Sequence, residues 1–431
     1  MLKLHTHIKA AIPAFFLLAA CSHEETAVFV PVGLAESAVS DTSSAAAHAT
    51  ACYSGVGNAG SLAIFGPVAE TAVLAEKFLT ADLFDNTDAK TRPDGLPDFA
   101  GETVMPVFDV ANTPYSGYFD TMNEDYIRET AVRGFLSSVS DRCSSSAFDR
   151  NSSASKPRAK LFVLSSSFLS GYGAGDIEYI ISNTGMDTEV LDPVKSAVSH
   201  VFSGMSEESN IGVWASGSVV SSGVYGNVFK KIRDSRTDKH SENYAAWAEK
   251  SEIVCLSPDM ASGAAENVRT FLEAYISADY DVPLSGVVID DFTEAWRVDS
   301  LNTALDSLLA QESAESEKYR QAVAPGFRFV TPVMTLTADA YLWLRAHDRF
   351  THLVAYPAVT GYMTAVSSEV QGQFLTEGGR LSDDSKFNRA TGSETDTYRF
   401  IPLSQSCFTG EELECLKQVA PETYKRLIYV Y

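Results

Sequence analysis

Positive charge is scarce in this chain: 33 lysines and arginines stand against 56 aspartates and glutamates, a net of −23 at neutral pH. So acidic a surface disfavours nucleic acid and anionic head groups as partners, and otherwise bears on solubility more than on fold. Long apolar runs are scarce too. A membrane-crossing helix takes about 20 apolar residues, and the N-terminal run from Ala10 to Ala20 has about 11. Short catalytic signatures are missing: no glycine-rich phosphate loop, no GxSxG elbow, and no HExxH or CxxC pair. Beyond residue 21 the histidines (His23, His48, His200, His240, His347 and His352) are scattered at spacings that build no metal site. Each reads as a surface or packing residue, and neither a metal nor a cofactor is expected.

What is present begins at the N-terminus. Lys3 and Lys9 precede the apolar run, which ends in Leu18-Ala19-Ala20-Cys21. Charge, greasy segment and small-residue cleavage site, in that order, read as an export signal over residues 1–20. Cys21 is then the lipid-bearing first residue of the mature protein, with more than one acyl chain for stable anchoring to a bilayer. Ser22 in place of Asp after that cysteine points to the outer membrane, facing the periplasm or the cell surface. Loss of Lys3 and Lys9 with no acid would leave 31 bases against 56 acids, a net of about −25. Five cysteines remain: Cys52, Cys143, Cys255, Cys407 and Cys415. An oxidising compartment permits disulfides and the odd count leaves a thiol over. Cys407 and Cys415 flank a Thr409-x-x-Glu412 capping box, so they are expected either to bridge or to remain two half-buried thiols.

Residues 21–60 are rich in Ser, Ala and Thr with little periodicity and read as a tether with a reach of roughly 30 to 35 Å. Apolar strand-like runs follow: 62–65, 104–110, 160–166, 210–216, 252–257, 286–290 and 327–333. They alternate with amphipathic stretches, notably 192–202 (opened by Asp192 and Pro193), 262–278, 301–322 and 337–347. This alternation predicts an α/β fold with parallel sheets and a ligand site at the carboxyl ends of the strands. The Ser-rich stretch 144–159 reads as a surface insertion.

Three strand ends carry candidate chemistry. Asp109 leads into Ala111, Pro114, Tyr115 and Gly117; Ser165, Ser166 and Ser167 close the next run; Asp290 and Asp291 lead to Thr293 and Glu294. A fourth segment, IGVWASGSVVSSGVY (211–225), passes from a strand through small hydroxyl residues to Tyr225. Hydroxyls and free backbone N–H groups at such turns suit a small anion.

The order of these segments resembles the glutamate racemase family. DVANTPYSG (109–117) matches that family's YxxDTARxPYG element at Asp109, Ala111, Pro114 and Tyr115, and 211–225 matches its IGVxGTxxTxxSGxY element at Ile211, Gly212, Val213, Ser222, Gly223 and Tyr225. LDPVKSAV (191–198) stands at the family's VIEP helix start. The resemblance covers roughly residues 60 to 300. It implies two racemase-like α/β domains facing a cleft, the first at 61–187, the second at 188–290, a return to the first at 291–335, and a C-terminal extension at 336–431. It also implies a small amino-acid-like ligand near Pro114, Tyr115, Ser165, Ser166, Ser167, Ser222, Gly223 and Thr293.

The departures concern the proton-handling positions. The family uses two cysteines, one on each face of the α-carbon, because a thiol's pKa lies close enough to neutrality to supply a thiolate. Here Ser165 stands at the first cysteine. The second cysteine segment falls on VVIDDFTEAW (287–296), which has none in either register, and Gly66 and Pro67 stand where the family has its catalytic Asp and ligand-binding Ser. A serine hydroxyl is far too weak an acid to do a thiol's work unaided. Three readings stay open: a lipid-anchored racemase-like protein without racemase activity that binds an amino-acid-like or cell-wall-derived ligand; an enzyme of altered chemistry with Asp291 or Glu294 as base and Ser165 assisting; and an envelope scaffold. Each residue also has a bland reading, Ser165 to Ser167 as a strand end satisfied by backbone and Asp290, Asp291 and Glu294 as a solvated turn or helix cap.

Overall fold

Each of the seven apolar runs forms a strand, since Val-, Ile-, Leu- and Phe-rich segments with little polar interruption suit a sheet covered on both faces. The computed structural model describes residues 29–53, 56–205, 208–237, 250–258, 263–392 and 397–428, with the side chains of 236, 237 and 407 outside that description. Residues 1–20, read above as an export signal, and Cys21 therefore lie outside the described residues. Among the described residues no helix is long and apolar enough to cross a membrane.

The strands, in chain order, are β1 (Ser61–Gly66), β2 (Thr103–Phe108), β3 (Arg142–Cys143), β4 (Ala154–Ser155), β5 (Ala159–Leu164), β6 (Val190–Leu191), β7 (Asn210–Trp214), β8 (Ile253–Leu256), β9 (Leu284–Ile289), β10 (Phe329–Val330), β11 (Ala358–Val359), β12 (Tyr362–Val366) and β13 (Tyr398–Pro402). The first sheet runs β13-β12-β2-β1-β5-β6, with β11 also on β2, and is parallel except for β13 against β12. The second runs β10-β9-β7-β8 and is parallel throughout. The chain is thus an α/β protein with two mostly parallel sheets, as the alternation predicts.

Helices cover both faces of the first sheet. Val68–Thr80 and Pro332–Ala346 pack on one side through Leu74, Phe78, Leu336 and Leu344, and Glu124–Val139 and Ala174–Thr184 on the other through Ile127, Phe135, Ile177 and Ile180. In the second sheet, Ala264–Ser277 and Val298–Leu309 bury Phe271, Leu272, Leu301 and Leu305. Asp192 caps the helix Pro193–Gly204 by accepting from Lys195 N at 3.0 Å. The helical stretch expected over 301–322 is two helices, Val298–Leu309 and Ala314–Ala322, because Ser313 caps a second start by accepting from Ser316 N.

Two segments differ from expectation. The stretch read as a tether is folded from residue 33 onward, as helices Gly33–Ser40 and Ala45–Ala51. Its alanines, including fully buried Ala35, allow close packing, Ser44 supplies a helix cap, and Val32 N donates to Asp176 Oδ1 at 2.8 Å. The C-terminal residues, in turn, complete the first sheet through β11, β12 and β13. They are pinned by buried Arg389, which donates to Asn112 Oδ1 (2.8 Å) and Tyr118 Oη (2.5 Å) and stands 4.4 Å from the Tyr126 ring centre. Residues 144–153 form a loop beside the small β3–β4 hairpin, organised around Asp149. The Thr409–Glu412 capping box is formed; Cys415 carries a free thiol, and the Cys407 side chain lies outside the described residues.

Candidate functional site

Parallel strands all point the same way, so the loops that follow them collect at one edge of each sheet. Those after β1, β2 and β5 of the first sheet and after β7 and β9 of the second line one cleft of about 450 Å³. It brings together Pro114, Tyr115, Ser165, Ser166, Ser167, Asp290, Asp291 and Thr293 from the sequence reading, and adds Glu70, Ser216 and Ser218.

Ser165 is fully buried at the end of β5. Its hydroxyl donates to Phe65 O at 3.1 Å and lies 2.7 Å from Thr71 Oγ1. A Cβ on Gly66 would sit 2.4 Å from that hydroxyl, and Gly66 has φ +155°, so a side chain at this position would displace the Ser165 hydroxyl and strain the backbone. Ser167 donates to Asp290 Oδ1, which leaves Ser166 as the member of the triplet with no described side-chain bond.

Asp290, half-buried at the end of β9, also accepts from Tyr225 Oη at 2.7 Å. Burial, aided by the charge of Asp291, pushes its carboxyl up to about 6 against the pull of those two donors. Glu70 lies in the first turn of Val68–Thr80, and burial followed by the charges of Asp291 and Asp290 pushes it up to about 7. At neutral pH Glu70 therefore exchanges a proton readily, and an acid–base group at the cleft is present without a thiol.

Asp291 is exposed and caps the short helix Phe292–Arg297, its Oδ1 accepting from Thr293 N (2.9 Å) and Thr293 Oγ1 (2.6 Å). Glu294 is not among the cleft-lining residues; it pairs with Arg297 Nε at 2.7 Å. Ser222 and Gly223 are not brought in either. Ser222 Oγ donates to Val219 O at 2.7 Å and Gly223, at φ +66°, closes the helix Gly217–Ser222. Beyond this turn, Tyr225 donates to Asp290. Asp109 lies behind the cleft, fully buried, accepting from Asn112 Nδ2 (2.6 Å), Tyr115 Oη (2.7 Å) and Thr364 Oγ1 (2.7 Å).

Among the described residues lining the cleft there is no cysteine, histidine, lysine or arginine. Cys255, on β8, is half-buried outside the lining and is pushed up to about 12 by burial and then by Asp290, so it stays protonated at neutral pH. Among the described residues no group of acids, histidines and cysteines is placed to hold a metal ion. Sequence reasoning missed Glu70, because an acid in a helix's first turn reads as a partner of the helix dipole.

No family model matches the chain, and no curated protein matches it. Solved structures similar to it include glutamate racemase from Francisella tularensis subsp. tularensis SCHU S4 in complex with D-glutamate, at 13% identity over 72% of this chain and 89% of that one, TM-score 0.41. Others are the racemase isoform RacE1 from Bacillus anthracis, at 9% identity over 71% and 88%, TM-score 0.40, and the racemase from Campylobacter jejuni subsp. jejuni, at 10% over 71% and 92%, TM-score 0.38.

Proposed function

We propose that this chain is a racemase-related, lipid-anchored envelope protein whose cleft binds a small amine-bearing, hydroxylated ligand, of the kind an amino sugar exemplifies, and does not racemise amino acids through two thiols. The racemase relation rests on the order of the segments 109–117, 191–198 and 211–225. The observation that carries the ligand class is the lining of the cleft: the carboxylates of Glu70, Asp290 and Asp291 among serine and threonine hydroxyls, with no described basic side chain. A free acidic amino acid would bring its carboxylates against these three, with nothing to neutralise them. An ammonium gains from the same groups, and sugar hydroxyls find matching donors and acceptors.

Incubation of the full chain with L- and D-glutamate or aspartate in heavy water tests the absence of the two-thiol route. No exchange of the α-hydrogen above the protein-free rate is expected, and exchange above it contradicts the reading. Thermal-shift screening with D- and L-amino acids, amino sugars and muropeptides tests the ligand; silence across the panel favours a scaffold. Palmitate labelling that is lost in Cys21→Ala tests the anchor.

Glu70 favours a second reading, an enzyme that works with carboxylates. An acid pushed up to about 7 beside Asp290 suits proton transfer at neutral pH. That reading requires turnover of an amino-sugar-type substrate to vanish in Glu70→Gln.

A further inference from the structure

A second cavity, of about 370 Å³, lies away from the cleft, against the folded N-terminal helices, the helix Glu124–Val139, the β3–β4 loop and β13. In so acidic a chain its wall is anomalous: Arg133, Arg142, Arg150 and Arg399 all line it, and no carboxylate does. Among the described residues, Glu129 and Glu369 behind the wall hold three of the four guanidinium groups. Arg133 places Nε (3.0 Å) and Nη2 (2.5 Å) on the same oxygen of Glu129, whose other oxygen accepts from Gly392 N at 2.8 Å. Arg150 and Arg399 share Glu369, the latter at 3.6 Å. Asp149, the acid of the adjoining loop, accepts from Ser145, Asn151 and Ser153 within that loop. Arg142 has no acidic partner among the described residues; its side chain makes a 3.4 Å contact with Ser155 Oγ. The cavity also has an apolar side made by Leu34, Ala46, Leu136 and Phe400, and hydroxyls from Ser137, Ser140 and Ser152.

We propose that this cavity binds the phosphate group of a phosphorylated organic molecule, with Arg142 as its principal anchor and the apolar side receiving the organic body. Guanidinium groups match phosphate oxygens in pairs and remain charged when desolvated. A phosphomonoester, at about −1.5 to −2 charge near neutral pH, complements a wall lined by four arginines and, among the described residues, no carboxylate. The volume exceeds that of a bare phosphate, which is why an organic body is included. A soluble phosphomonoester and a phospholipid head group offer the same chemistry.

Calorimetric titration of the full chain with glycerol 3-phosphate at low ionic strength, beside sedimentation with phosphatidylglycerol-containing and pure phosphatidylcholine vesicles, separates the two sources. Saturable binding of either phosphate probe, weakened about tenfold or more by Arg142→Glu and by high salt and unaffected by Lys417→Glu on a distant helix, is the expected result. Binding to phosphatidylglycerol vesicles alone, with the same Arg142 dependence, assigns the phosphate to lipid and supports the proposal. No saturable binding of any phosphate probe, or binding equally affected or unaffected by both variants, overturns it. Circular dichroism of Arg142→Glu separates loss of the site from loss of the fold.

Discussion

Asp109 and Asp290 stand at comparable points of the two sheets. Each follows the last residue of an interior strand, and each accepts a 2.7 Å hydrogen bond from a tyrosine hydroxyl, Tyr115 in one case and Tyr225 in the other. Their surroundings separate their work. Asp109 is sealed from solvent and holds three donors from 112, 115 and 364, so it ties the loop after β2 to β12. Asp290 stays half-open, holds two donors and shares the cleft with Glu70 and Asp291. The carboxyl raised by burial is thus a clamp where both oxygens are held by buried donors and a ligand-facing group where neighbouring acids remain unneutralised.

The largest test of that contrast removes the clamp. Asp109→Ala leaves the hydroxyls of Tyr115 and Thr364 and the amide of Asn112 without their shared acceptor, and is expected to destabilise the protein by about 3–5 kcal/mol in denaturant unfolding. A loss below about 1 kcal/mol would place Asp109 with the cleft acids. Glu70→Gln should act in the opposite direction. Burial raises the folded-state carboxyl from 4.5 to about 7, so stability that is fully present below the ordinary carboxyl value is lost as pH climbs through about 7. Glutamine removes that loss: the variant should match wild type at low pH and exceed it above neutrality by about 1–3 kcal/mol, the range allowing for solvent at this half-buried group. Parallel stability–pH curves would contradict it. The smallest expected effect is that of Asp290→Asn, which keeps an acceptor for Ser167 and Tyr225 and should change stability by about 1 kcal/mol or less. Removing that anion should also lower the Cys255 thiol, seen as alkylation beginning at lower pH.

Much of the fold was legible because its strands are continuous Val-, Ile- and Phe-rich runs, as in β5 and β9, with turn signals behind them. The N-terminal helices were not, since Ala and Ser over residues 33–51 suit a tether as well as a close-packed helix pair, and only the groove that receives Ala35 and the carboxylate of Asp176 decides. β12 and β13 were hidden for a similar reason: β12 owes its place to β2, far away in sequence, and the edge strand β13 owes its place to β12. At the site, strand-end position located Ser165, Asp290 and Thr293, but could not tell a hydroxyl already bonded to Phe65 and Thr71 from one open to a ligand. Glu294 and Ser222 failed because a helical turn aimed them elsewhere.

The most direct measurement is a paired calorimetric titration of the full chain with glucosamine and with D-glutamate, repeated on Asp290→Asn. The account predicts saturable binding of the amine, weakened about tenfold by the substitution, and none of the diacid. Tight D-glutamate binding that is indifferent to Asp290 would contradict it.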